Sequence, residues 1–238
     1  MFGSTISGIF NHSFIFGDNL IPFYQPIVDA EQFIIGYEAL GRRYNSKTEH
    51  WDSVFSSCKN DEKILELDLI VLEKIIRNVK NGQLDHLKFL SINMTAKFND
   101  ANYVKMVNEL NQELRLRDIR LQLEVLETQK IEDTETIFEF YNSNISLCLD
   151  DFGIEENNIF RLLSIPVDTV KIDRVLFQFS LSSERRFDLL KGIISGLKGN
   201  NIKVTCEGIE SQQHFDMARK LGCNYFQGYF WSEAFNIN

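Results

Sequence analysis

The chain has 238 residues, 44% of them hydrophobic and 25% charged, with a formal net charge of −9. This is the balance of a folded globular chain, and its acidic excess, with basic residues scattered in pairs such as Arg42-Arg43 and Arg185-Arg186, argues against the basic face that long nucleic acid requires. No apolar run reaches the roughly 18–20 residues that span a bilayer, no Gly/Ser-rich or Pro-rich stretch marks a linker, and Met1–Phe16 lacks the basic start of a signal peptide.

In chain order, short β-rich runs alternate with helical patterns. Pro22–Val28 and Phe33–Leu40 read as strands joined by a gap at Asp29–Gln32 too short for a helix, so this pair forms a hairpin and one strand runs antiparallel to its neighbours. Asp61–Lys80 carries Ile64, Leu65, Leu67, Val71, Leu72, Ile75 and Ile76 at helical spacing. Strand and helix then alternate: Leu87–Asn93, helix Asn102–Leu114, Ile119–Leu126, helix Asp133–Tyr141, Ile145–Asp151, Thr169–Ile172, helix Glu184–Lys198, Ile202–Cys206, helix Ser211–Leu221 and Asn224–Gln227. Asp61 and Ser211 are predicted N-caps, and Gly199 and Gly222 predicted stops. About eight strands with helical crossovers predict a variant (β/α)8 barrel, with an open doubly wound sheet as the competing architecture. Cys58, Cys148, Cys206 and Cys223 show no CxxC spacing, and Cys148 and Cys206 fall in apolar strands; buried thiols and a reducing cytoplasm are expected.

Polar residues mark the strand ends. Glu38 lies near the end of the second strand and Asn93 ends the third. Glu124 is late in the fourth, Asp150 and Asp151 end the fifth, Lys171 lies in the sixth, Glu207 ends the seventh and Gln227 follows the eighth. In a barrel these ends converge on one face. Several carboxylates in one mouth repel each other unless cations compensate them, and an all-oxygen donor set suits hard divalent ions rather than zinc. Taken singly, each residue has a plainer explanation as a cap, an edge charge or a loop start.

In order, Tyr24-Gln25-Pro26-Ile27, Gly36-Tyr37-Glu38-Ala39-Leu40, Ser91-Ile92-Asn93, Leu123-Glu124-Val125-Leu126-Glu127, Asp150-Asp151-Phe152-Gly153, Val170-Lys171-Ile172-Asp173, Glu207-Gly208-Ile209-Glu210 and Gln227-Gly228-Tyr229 resemble the EAL-domain family of cyclic diguanylate phosphodiesterases. The resemblance covers Phe23 to Trp231 and implies one domain over residues 1–238, with 1–20 as an N-terminal extension. It implies that Glu38, Asn93, Glu124 and Asp150 hold one metal, and that Asp150, Asp151 and Glu207 surround a second. The metals would be two Mg2+ or Mn2+ per site, with Ca2+ inhibitory. Lys171 would orient or deprotonate the attacking water, with Glu207 and Glu38 at the same catalytic centre. Gln25, Arg42 and Gln227 would contact the substrate, Arg42 at a phosphate, and Glu127 would steady the loop after the fifth strand. The reaction implied opens cyclic di-GMP to linear 5′-pGpG. Two departures stand out: Ile154-Glu155-Glu156-Asn157-Asn158 replaces the family's Gly-rich run after the Asp-Asp pair, and Gly41-Arg42-Arg43 stands where Leu-Arg-Trp is common. Two readings therefore stay open, a hydrolase and a non-catalytic module that binds cyclic di-GMP or a protein partner; a homodimer is a further expectation.

Overall fold

The computed structural model describes residues 19–53, 58, 60–94, 97–125, 134–154 and 158–237. β1 (Leu20–Val28) and β2 (Ile34–Asn45) form the expected hairpin, with Gln25 opposite Glu38. The Asp29 carboxylate makes the turn by accepting from the backbone N–H groups of Glu31 and Phe33. β3 (His50–Ser53) pairs with the outer end of β2. β2 therefore outruns its predicted end at Leu40, because β1 and β3 continue to satisfy its backbone beyond the barrel.

β4 (Phe89–Asn93), β5 (Arg120–Val125), β6 (Ser146–Phe152), β7 (Thr169–Ile172), β8 (Lys203–Cys206) and β9 (Tyr225–Gln227) follow in parallel from β2. β1 pairs antiparallel with both β2 and β9 and closes an eight-stranded barrel, with β3 as an outlying edge. The antiparallel barrel strand is thus β1, and the open sheet is ruled out.

The helices are α1 (Asp61–Lys80), α2 (Ala101–Arg115), α3 (Thr134–Asn142), α4 (Asn158–Ser164), α5 (Arg174–Ser180), α6 (Glu184–Gly199) and α7 (Gln212–Leu221). Two predicted boundaries are corrected. Asn60, not Asp61, caps α1, its side chain accepting from the N–H groups of Glu62 and Lys63. Gly199 stays inside α6, and Asn200 caps that helix. Ser211 and Gly222 cap α7 as expected, Gly222 in the left-handed conformation.

The apolar face of α1 packs against β1, β2 and α2, and its Leu67, Val71 and Ile75 share one core with Leu20, Tyr24, Leu90 and Leu121. Burying each such Leu, Ile or Val is worth about 1.5–3 kcal/mol, so this face rather than helix propensity holds α1 in place. Cys148 and Cys206 are buried free thiols. Inside the barrel, Ile27, Ile35 and Phe89 form a floor with Tyr225 against them. A Cβ at Gly36 would lie 2.6 Å from the Phe89 ring, so the glycine makes room for that floor. No helix among the described residues is long and apolar enough to cross a membrane.

Candidate active site

Above the apolar floor the barrel interior turns polar. Side chains two apart on a strand share a face, so the inward residues rise in layers toward the C-terminal ends. Gln122 donates to the Ser91 hydroxyl, which donates to Glu124. In the next layer Lys171 Nζ lies 3.2 Å from Glu38, 3.0 Å from Glu124, 3.1 Å from Asp150 and 2.7 Å from Glu207. Gln227 donates to Glu38 at 2.7 Å and to Gln25 at 3.2 Å, and Asn93 donates to Glu38 at 3.2 Å. Most of the residues placed at strand ends by the sequence therefore meet around one buried ammonium group.

Asp150 and Asp151 are consecutive, and a regular strand would send their side chains to opposite faces. The β6–β7 register shifts between Leu149 and Phe152, and Asp151 adopts a left-handed backbone (φ 55°). This bulge turns both carboxylates toward the mouth: one oxygen from each of Asp150, Asp151 and Glu207 lies within 4.8 Å of the others. Gly153 follows at φ 104°, where a Cβ would strike the Leu176 side chain.

The charges do not balance. Burial and the Asp150 charge push Asp151 up to about 6. Burial pushes Glu207 up to about 8, with Asp150 and Glu38 adding to the rise and Lys171 opposing it. Burial and the Glu38 and Asp150 charges hold Glu124 well above the carboxylate range. Burial also opposes ionisation of Glu38, but Lys171 and the hydrogen bonds from Gln227, Lys171 and Asn93 outweigh it and keep Glu38 low. Burial disfavours the Lys171 cation too, yet the four surrounding carboxylates hold its pKa well above the ordinary value. Asp150 Oδ1 is buried and, although close to the ammonium, has no hydrogen bond. Four carboxylates around one ammonium and a fifth, Asp151, beside them, with a buried oxygen lacking a donor, fit a mouth built for divalent cations.

A cavity of about 310 Å3 opens beside this cluster; Gln25, Glu38, Leu40, Glu207 and Gln227 line its depth, and Arg174, Glu210 and Tyr229 its rim. Arg42 is half-buried, donates to the Gly41 carbonyl at 3.2 Å, and lies in the fields of Glu38 and Tyr229. Glu127 lies outside the described residues, as do Glu155, Glu156 and Asn157 of the altered loop. No sequence motif marks Arg174. It reaches the rim because its stem crosses Gly208, where a Cβ would overlap it at 2.1 Å, and it pairs with Glu210 at 3.2 Å.

A family model described as EAL domain matches residues 12–234. The chain is 30% identical over 223 residues to the oxygen sensor protein DosP of Escherichia coli, covering 88% of this chain and 27% of that protein. It is 26% identical over 226 residues to the cyclic di-GMP phosphodiesterase NbdA of Pseudomonas aeruginosa, covering 90% of this chain and 29% of NbdA. The chain thus spans well under half the length of either relative. Among solved structures, the PaMucR phosphodiesterase in its c-di-GMP complex matches with a TM-score of 0.76 at 21% identity, over 96% of this chain and 97% of that one. The Bacillus subtilis YkuI protein, in complex with c-di-GMP and calcium, matches with a TM-score of 0.77 at 23% identity, over 94% of this chain and 58% of that one. These two likenesses establish the fold.

Proposed function

The chain belongs to the EAL domain family, and on that premise we propose that it is a divalent-metal-dependent phosphodiesterase that opens cyclic di-GMP to linear 5′-pGpG. The observation that carries this reading is the gathering of Glu38, Glu124, Asp150 and Glu207 around Lys171, with Asp151 beside Asp150 and Glu207, at the open mouth of the barrel. A module that only bound its ligand would have no need of so costly a cluster of buried charge. Relatives named as cyclic di-GMP phosphodiesterases support the choice of substrate.

Glu38, Asn93, Glu124 and Asp150 would hold one cation, and Asp150, Asp151 and Glu207 would flank a second, Mg2+ or Mn2+ in each place. When bound, the two cations would acidify water and neutralise charge on the phosphate. Gln227 fixes Glu38 through its 2.7 Å hydrogen bond. Lys171, held as an ammonium by its carboxylates, acts as a donor that orients water rather than as a base. Arg42 grips a phosphate with its guanidinium fork. In the reaction water oxygen joins the phosphorus, the ribose 3′ oxygen leaves with a proton, and the ring opens.

We further read residues 1–238 as a single EAL domain in which 1–20 are an extension. Three buried free thiols suit a reducing cytoplasm. The exposed apolar side chains of α4 suit a second copy as partner. The test is incubation of pure protein with cyclic di-GMP and Mg2+ or Mn2+, followed by chromatography. Linear pGpG should form, should vanish in Glu38→Ala, and should be suppressed by Ca2+, whose longer bonds and larger ligand number suit the site less well. Tight binding without product under any metal would instead favour the non-catalytic module.

A further inference from the structure

The inner wall of β1 and β2 continues past the cavity as an aromatic surface. Burial along β1 alternates. Leu20 and Tyr24 lie in the core with α1, while Ile21, Phe23 and Gln25, on the opposite face, are half-buried, and Gln25 lines the cavity. Phe23 is the cross-strand partner of Leu40, another cavity residue, and Ile21 that of Arg42. Cross-strand partners share a face, so Phe23, Leu40, Arg42 and Ile21 look the same way as Glu38. Two residues beyond Arg42 stands Tyr44, paired with Trp51 on β3. The Trp51 ring lies 5.4 Å from Tyr44 and 5.2 Å from Phe23. A cross-strand pair alone explains the first contact. It does not explain why Trp51 leans back across the hairpin to Phe23, at the cavity edge, while Tyr44 and Trp51 each keep 37% exposure.

We propose that Phe23, Tyr44 and Trp51 form a stacking ledge at the rim of the mouth that receives one purine base of the dinucleotide. This rests on the reading of the mouth as a cyclic dinucleotide site. The ledge begins two residues up the hairpin from Glu38, about 7 Å along the strand, a step suited to the reach from a phosphate through its ribose to the base. Arg42 stands between the carboxylates and the outer aromatics, where it can hold the phosphate that joins the two halves of the ligand. The electrostatics point the same way. Cations and Arg42 serve the phosphates, whereas the neutral bases need a contact that does not depend on charge. Base stacking on aromatic faces is such a contact.

The test uses the full chain with Trp231→Phe, which leaves Trp51 as the sole tryptophan. Cyclic di-GMP is titrated in Ca2+ and followed by Trp51 emission and by calorimetry. We expect the emission to change on saturation, Trp51→Ala to weaken binding about 10-fold, and Trp51→Phe to stay within about 3-fold of the parent. If the parent binds the dinucleotide with silent emission and Trp51→Ala binds as tightly, the ledge is wrong and the proposed function stands. If the parent does not bind at all, the proposed function falls and the ledge with it. The emission signal needs no change on the hairpin, so it decides the matter even if Trp51→Ala distorts β3.

Discussion

Lys171 sets the electrostatic character of the mouth. Its side chain is 2% exposed and its ammonium lies within ion-pair distance of four carboxylates. Lys171→Ala should therefore destabilise the chelator-treated protein by about 3–5 kcal/mol, the usual cost of leaving buried charge unpaired. Saturating Mn2+ should recover much of that loss, which urea unfolding with and without metal would read; equal losses in both conditions would remove the cation site from this cluster. The raised carboxylates give a pH signature. Asp151 and Glu207 titrate at about 6 and about 8 in the fold, against roughly 3.9 and 4.3 in an unfolded chain. The folded state then binds more protons across that interval, so stability of the metal-free protein falls as pH rises from about 4 to about 8. Metal displaces those protons, so the rise in Tm on adding Mg2+ should grow between pH 5.5 and 8.5; a constant increment would contradict the assignment. Most of these residues were legible because each stands at or near a strand end. Arg174 was not, because its place at the rim depends on the missing Cβ of Gly208 and on a helix, α5, whose seven residues, about two turns, are too few to show a period.

At the scale of elements, the alternation of apolar runs was enough to read the barrel and its hairpin, since buried parallel strands and amphipathic helices differ in period. The pattern failed where burial is weak. β3 is four exposed residues that owe their strand form to the overhang of β2 rather than to a core, and α4 and α5 span seven residues each. The bulge in β6 was also invisible. Asp150-Asp151 announces two carboxylates, but only the left-handed Asp151 brings both to one face. That geometry leans on Gly153, so Gly153→Ala should cost about 1–3 kcal/mol for the strained φ alone, and more from overlap with Leu176. Because the strain would be relieved by moving the Asp pair, Mn2+ affinity should fall along with stability. Calorimetric metal titration beside thermal melting separates the two, and a loss of stability with unchanged affinity would show that Gly153 serves α5 packing only.

Taken as a whole, the molecule is unevenly covered. Around β4 and β5 the helices α1 and α2 bury long apolar faces. On the other half, α4 exposes Ile159, Phe160 and Leu163, α5 exposes Val175 and Phe179, and α6 exposes Leu189 and Ile193. Single exposed apolar residues are ordinary, but three in a seven-residue helix leave α4 with little of its apolar surface in the core. A second copy of the chain is the occupant we expect there. Its covering would bear on the proposed catalysis, because α4 follows Asp150 and Asp151, the proposed metal ligands, by fewer than ten residues. Phe160→Asp with Leu163→Asp places two charges on this exposed face without entering the core. Sedimentation should show the parent as a concentration-dependent dimer and the double variant as a monomer, its Tm matching that of the parent diluted to the monomer, since neither side chain is buried in the fold. Turnover of cyclic di-GMP by the monomer should fall several-fold while Mn2+ still binds. A parent that stays monomeric at high concentration, or a double variant that stays dimeric, would move the interface elsewhere. Full turnover by a proven monomer would uncouple α4 from the mouth.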